Sequence, residues 1–139
     1  MTHVCSGALF FAVNTQRFLL LHRAQSRQSR VWGLAGGTNE LQETPWQACV
    51  REISEEIGHC NIRKTVPLES YTNREATFEY HTFVCIVDSE FIPDLNCEHD
   101  GYAWVTYSSW PQPLHYGLKN TLKKSNNLVK LKTIQNIYS

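Results

Sequence analysis

The 139-residue sequence has no surplus of either charge, with thirteen Lys and Arg against thirteen Asp and Glu. No long-range field of one sign is therefore expected to recruit nucleic acid or an anionic membrane, and a charged ligand must be held by local clusters. Long apolar runs are missing too. Gly7 to Val13 is too short to span a bilayer, and Met1 to Cys5 puts no basic segment ahead of an apolar one, so a soluble cytoplasmic protein is expected. There is no CxxC pair. The five cysteines, Cys5, Cys49, Cys60, Cys85 and Cys97, are odd in number and mostly sit in apolar runs, which predicts reduced core residues rather than a disulfide framework or a zinc site. Repeats and low-complexity segments are absent, and the length suits a single domain over 1–139.

What is present reads as alternating strands and helices. Val4 to Val13 and Arg17 to His22 form a candidate hairpin about Asn14-Thr15. Ala24 to Arg30 reads as a polar loop, Val31 to Leu34 as a short strand, and Gly36-Gly37 as a break in regular structure. Thr44, Pro45 and Gln47 make an N-cap, a first-turn proline and a capping box, so a helix is predicted from Thr44 to a stop at Gly58. Arg63 to Tyr71 and Thr77 to Val87 suggest a second hairpin, and Tyr102 to Tyr107 a further strand. After a turn at Pro111 and Pro113, Leu114, Leu118 and Leu122 recur at helical spacing, and Leu128, Leu131 and Ile134 suggest another short helix. This order predicts a mixed sheet covered by helices.

On a helical wheel, Trp46, Cys49, Val50, Ile53 and Ile57 share one face of the Thr44 to Gly58 segment, while Glu52, Glu55 and Glu56 crowd the other. An acidic face is often just a solvated one. Here the carboxylates repel one another at helical spacing, and only Arg51, four residues before Glu55, offsets them on the helix. Ala48, one turn before Glu52, leaves space among them. Three carboxylates around such a space suit a hard, oxygen-seeking cation, and Gly36-Gly37 permits backbone angles that turn a carbonyl towards the same ion.

Gly37, Glu43, Arg51-Glu52, Ile53, Glu55-Glu56 and Gly58 resemble the Nudix box, G-x5-E-x7-R-E-U-x-E-E-x-G-U with U a bulky apolar residue; only His59 departs, at the last position. The box spans about a sixth of the chain and fixes far more positions than a lone glycine motif. Val31 to Gly37 is similar to the family's W-x-L-P-G-G entry with Ala35 for proline, and Glu40 to Thr44 to its E-x-G-E-T with Gln42 for glycine. The resemblance implies an α/β/α sandwich with a mixed sheet and Mg²⁺-dependent hydrolysis of a nucleoside diphosphate linkage, with Mn²⁺ as a substitute. By the same resemblance, Glu52, Glu55, Glu56 and the Gly36 carbonyl bind metal, Glu43 supports the loop or an outer ion, and Arg51 orients the glutamates. The family also implies a nucleotide-type small-molecule substrate and allows a homodimer.

A water on such an ion needs a group to take its proton, and Glu55, Glu52, Glu98 and His99 are the candidates. Glu98-His99-Asp100 reads as a polar loop ahead of the strand containing Trp104-Val105. Asn96 to Trp104 also resembles the corresponding loop of GDP-mannose mannosyl hydrolases, a Nudix branch in which a loop histidine acts as base. Arg23, Arg27 and Arg30 lead into the box, where guanidinium forks could hold phosphates; loop arginines are more commonly solvated. Trp32, Tyr80, Phe83 and Trp104 are aromatic and on strands, which favours core over a base pocket, and His115 reads as a cap or packing residue. A nucleotide- or protein-binding module that cleaves nothing is the competing reading, and it would be expected to have lost box glutamates.

Overall fold

The computed structural model of the protein describes residues 2–24 and 30–139. The elements run β1 (His3–Ala12), β2 (Arg17–Arg23), β3 (Trp32–Gly33), β4 (Ala35–Thr38), α1 (Pro45–Ile57), β5 (Lys64–Thr72), β6 (Phe78–Val87), β7 (His99–Thr106), α2 (Tyr116–Lys123) and α3 (Ser125–Ile137). The strands form one seven-stranded sheet with the path β3-β2-β1-β6-β5, to which β4 is added beside β1 and β7 beside β2. Among the paired strands of the described residues, β1 and β6 run parallel and the other pairs are antiparallel, so the sheet is mixed.

β1 lies inside the sheet and is apolar on both faces, as a strand covered from two sides must be. Ala8, Phe10 and Ala12 face a core shared with Cys49, Ile53 and Ile57 of α1. Leu9 and Phe11 face a second core shared with Leu118 and Leu122 of α2 and Leu131 and Ile134 of α3. Phe10, Phe11 and Phe18 are among the largest fully buried side chains, each contributing about 1.5–3 kcal/mol by leaving water. Helix, sheet and helical pair form the expected α/β/α sandwich. Both hairpins occur as anticipated, and α3 is longer than the leucine spacing suggested, at thirteen residues.

Three local expectations are corrected. Gly36-Gly37 does not interrupt regular structure: both lie in β4, opposite Gly7 and Ser6 of β1. Glycine is needed because a Cβ on Gly36 would sit 2.1 Å from the Ser6 carbonyl oxygen, a close strand approach rather than a turn. Secondly, β7 begins at His99, because His99 pairs with Arg23 across an irregularity in the β2–β7 ladder. Finally, Val50 is 45% exposed, so the apolar stripe of α1 is narrower than the helical wheel drew it. The five cysteines are free; Cys49 and Cys85 are buried, whereas Cys97 is exposed on its loop.

Candidate active site

α1 starts where the capping box predicts. Thr44 Oγ1 accepts from the Gln47 amide at 3.1 Å, and Gln47 Oε1 accepts from the Thr44 amide at 2.9 Å. Gly58, at φ 79°, ends the helix. The loop after β6 then crosses that end: the Asp94 amide donates to the Ile57 carbonyl and Asn96 Nδ2 to the Glu55 carbonyl, satisfying groups a helix terminus leaves open. This crossing carries Glu98 to the C-terminal turn of α1.

Because α1 packs across β1 and β4, its acidic face divides into two rows. Ala48, Glu52 and Glu56, spaced four residues apart, run along the flank next to β4; Glu55 points outward, with its side chain 54% exposed. Ala48 is fully buried, which corrects the expectation that it leaves an opening. The room comes from β4 instead. A Cβ on Gly37 would lie 2.7 Å from Glu52 Cδ, and the Gly36 amide donates to Glu56 Oε1 at 3.0 Å.

Glu56 is 3% exposed. Burial raises its pKa to about 9, helped by hydrogen bonding and repulsion from Glu52 and by the charge of Glu98, and opposed by the Gly36 amide. Arg51 holds the surrounding frame. Its Nε donates to Glu43 Oε2 at 2.8 Å, Nη2 to Glu43 Oε1 at 3.1 Å and to the Thr38 carbonyl at 3.0 Å, and Nη1 to Glu52 Oε1 at 2.8 Å. Glu43 also accepts from the Glu40 amide at 2.7 Å, and these partners, Arg51 first, hold its carboxyl below the usual range. It supports the loop, one of the two roles expected of it. Gln42, at the position of the family's glycine, has φ 70°.

Among the described residues, no three carboxylates, imidazoles or thiols already converge as a ligand group, and Glu52 is turned towards Arg51. The donors nevertheless suit a divalent ion. They are oxygens, and two crowded carboxylates, one of them buried, are what a bound cation would relieve.

On the other side of the sheet, a cavity of about 590 Å³ opens beside Gly36 and Gly37. Tyr71, Phe78, Tyr80 and Tyr116 line it, together with Arg23 and His115. The remaining anticipated residues fall elsewhere. Arg30 is 3.8 Å from Asp100, which also takes a 2.6 Å contact from His22; Arg27 lies outside the described residues. His99 is buried, its Nδ1 has no partner among the described residues, and burial, with the Arg23 charge, lowers its pKa. Trp104 and Phe83 belong to the α1-side core and Trp32 to the other; of the four aromatics, only Tyr80 lines the cavity. Tyr71, Phe78, Tyr116 and Asn120 were not singled out from the sequence, since they come from separate elements with no shared spacing.

Compared with known proteins, residues 1–124 match the NUDIX domain. The chain belongs to the Nudix family. It is 36% identical over 110 residues to a Mycobacterium tuberculosis protein provisionally named 8-oxo-dGTP diphosphatase 3, a match covering 74% of this chain and 51% of that protein. The chain thus spans about half the length of that relative. It is 29% identical over 115 residues to dihydroneopterin triphosphate diphosphatase of Haemophilus influenzae, covering 70% of each. A solved Nudix hydrolase of M. smegmatis, RenU, is 26% identical, with a TM-score of 0.74 over 92% of this chain and 86% of that one. No helix among the described residues is long and apolar enough to cross a membrane.

Proposed function

We propose that this Nudix chain is a pyrophosphohydrolase that cleaves a nucleoside triphosphate to the monophosphate and pyrophosphate with Mg²⁺. The observation that carries the proposal is the buried pairing of Glu56 with Glu52 beside the β4 glycines, next to a cavity of the size a base requires. Glu52, Glu55, Glu56 and the Gly36 carbonyl would hold the ion. Bound there, Mg²⁺ or Mn²⁺ would neutralise the phosphate oxygens and make a bound water more acidic.

The chain's own residues do the rest. Arg51 keeps Glu52 and the loop through Glu43 in place. Glu98, carried to the end of α1 by Asn96, is proposed to accept the attacking water's proton, with Glu55 on the same turn as the other acceptor. His99 is held neutral by burial opposite Arg23 and packs that arginine at the cavity wall, where its guanidinium would bind phosphate oxygens.

The related diphosphatases support a triphosphate carrying an oxidised purine or a pterin, both flat rings with a carbonyl. Four aromatic side chains around the cavity support a flat ring as occupant. The test is phosphate and pyrophosphate release from nucleoside triphosphates, nucleotide sugars, ADP-ribose and dinucleoside polyphosphates, with Mg²⁺, Mn²⁺ or EDTA. Metal-dependent pyrophosphate from a triphosphate is the expected result. No turnover across the panel, with the metal bound, would make the chain a nucleotide-binding module instead.

A further inference from the structure

At the wall of the cavity, Arg23, Gly33 and His115 come together. A Cβ on Gly33 would lie 3.6 Å from His115 Cβ and 3.8 Å from Arg23 Nε, so both side chains flank Gly33. The backbone of His115 is held on both sides: its amide donates to the Trp32 carbonyl at 2.8 Å, and its carbonyl accepts from the Lys119 amide at 2.9 Å.

The imidazole is held as well. His115 is the N-cap of α2, and its Nδ1 accepts from the Gly117 amide at 3.1 Å. A ring nitrogen that accepts a hydrogen bond carries no proton, so the neutral ring has its hydrogen on Nε2. Burial first, and then the Arg23 cation, lower the pKa of His115 and favour that neutral form. The helix cap thus fixes the tautomer, and Nε2–H is left as a donor on a ring that lines the cavity.

The one carboxylate lining the cavity does not balance this donor. Glu69 accepts from Thr121 Oγ1 at 2.8 Å and from Lys124 Nζ, contacts that tie β5 to α2 and its C-cap. Asn120 and the tyrosine hydroxyls can either donate or accept and so discriminate nothing. The groups of fixed polarity at this wall, Nε2–H and the Arg23 guanidinium, both demand an acceptor.

We propose that His115 is a specificity-determining residue whose Nε2–H reads a ring carbonyl of the substrate's base, selecting oxo-heterocycles over amino-heterocycles such as adenine. The inference rests on the reading of this cavity as the seat of a nucleotide's base. A ring amino group at the same place would set N–H against N–H and leave two donors without acceptors. A site built to hydrogen-bond one group rejects an analogue that lacks it by at least about tenfold.

The decisive probes are IMP and AMP, which differ at C6, an oxygen against an amino group with the accompanying proton at N1. NMR titration without metal gives the two affinities for wild type and for His115→Ser, which keeps a strong N-cap acceptor for Gly117 but lacks Nε2–H. Wild type is expected to bind IMP about tenfold or more tighter than AMP, with the imidazole Nε2–H signal shifting on IMP alone. His115→Ser should bring the ratio to within about twofold, as IMP loses its donor and AMP is relieved of the opposed N–H. Equal binding of the two by wild type, or an unchanged ratio in the variant, overturns the inference. If His115→Ser melts below wild type, His115→Asn, another strong cap, replaces it under the same criterion. Hydrolysis of ITP and ATP with Mg²⁺ separates this inference from the hydrolase reading: IMP preference without ITP turnover sinks the hydrolase and leaves His115 as the reader, whereas equal kcat/KM for ITP and ATP does the reverse.

Discussion

Replacing Glu56 by Gln is expected to stabilise the metal-free protein near neutral pH, the opposite of what replacing a buried hydrogen-bonded group usually does. An ordinary glutamate titrates near 4.5, and this one is raised to about 9 by burial and by Glu52. Below 4.5 the carboxyl is protonated in both folded and unfolded chains and costs nothing. Between the two values the unfolded chain releases its proton while the folded one keeps it, so stability falls as pH rises, by at most about 1.4 kcal/mol per pH unit. Above 9 the loss is complete. At pH 7.5 the span sets a ceiling of about 4 kcal/mol, and coupling to Glu52 brings a realistic figure to about 1–3 kcal/mol. Gln escapes this cost while still accepting from the Gly36 amide and donating to Glu52. In EDTA at pH 7.5 the variant should therefore melt higher than wild type by about 3 °C or more, with the gap closing towards pH 5. Saturating Mg²⁺ should reverse the order, since the ion stabilises the charged site of wild type and has lost a ligand in the variant. Turnover should fall by orders of magnitude. A variant that melts lower than wild type in EDTA, by the same margin at pH 5 and pH 7.5, would refute the reasoning.

Gly36→Ala should cost more than about 3 kcal/mol and show up as insoluble protein or a large fall in melting temperature, because the new methyl meets the immovable Ser6 carbonyl. Gly37→Ala meets the movable Glu52 carboxylate first, so melting near wild type with activity down by about tenfold or more is expected; normal activity would remove Glu52 from the site. Arg51→Lys loses the fork on Glu43 and should cost about 1–2 kcal/mol, with faster hydrogen exchange at the Glu40 amide as its local readout. Gln42→Gly should stabilise by about 0.5–1 kcal/mol, measured by denaturant midpoint, since φ 70° strains any residue with a side chain.

The helix of the box was legible down to its cap, because Thr44 and Gln47 act locally and their bonds depend on nothing outside the first turn. What a helical wheel could not separate was Glu55 from Glu52 and Glu56. All three are polar and adjacent, and only the position of β4 decides which are covered. The same strand explains the misreading of Gly36-Gly37: glycine pairs signal turns when read locally, but here they answer to the backbone of β1, distant in sequence. The charged neighbours of His99 read as a loop in the sequence, whereas its pairing with Arg23 is tertiary. The cavity was illegible for a related reason. Its walls come from β1, β2, β4, β5, β6 and α2, and His115, correctly read as a cap, gives no hint in the sequence that the capping ring also lines it.

β4 can be understood as a measuring edge. Its two glycines touch the carboxylates on one side and line the cavity on the other. A ligand that seats its ring in the cavity and its phosphates at the carboxylates must pass the edge of that strand. The reach from ring to anhydride is then set by the backbone rather than by any side chain. Ligands of different chemistry at either end could share the site if their middle portions have the same length, and a linker shorter or longer by one phosphate would misplace the bond to be broken however well its base is read.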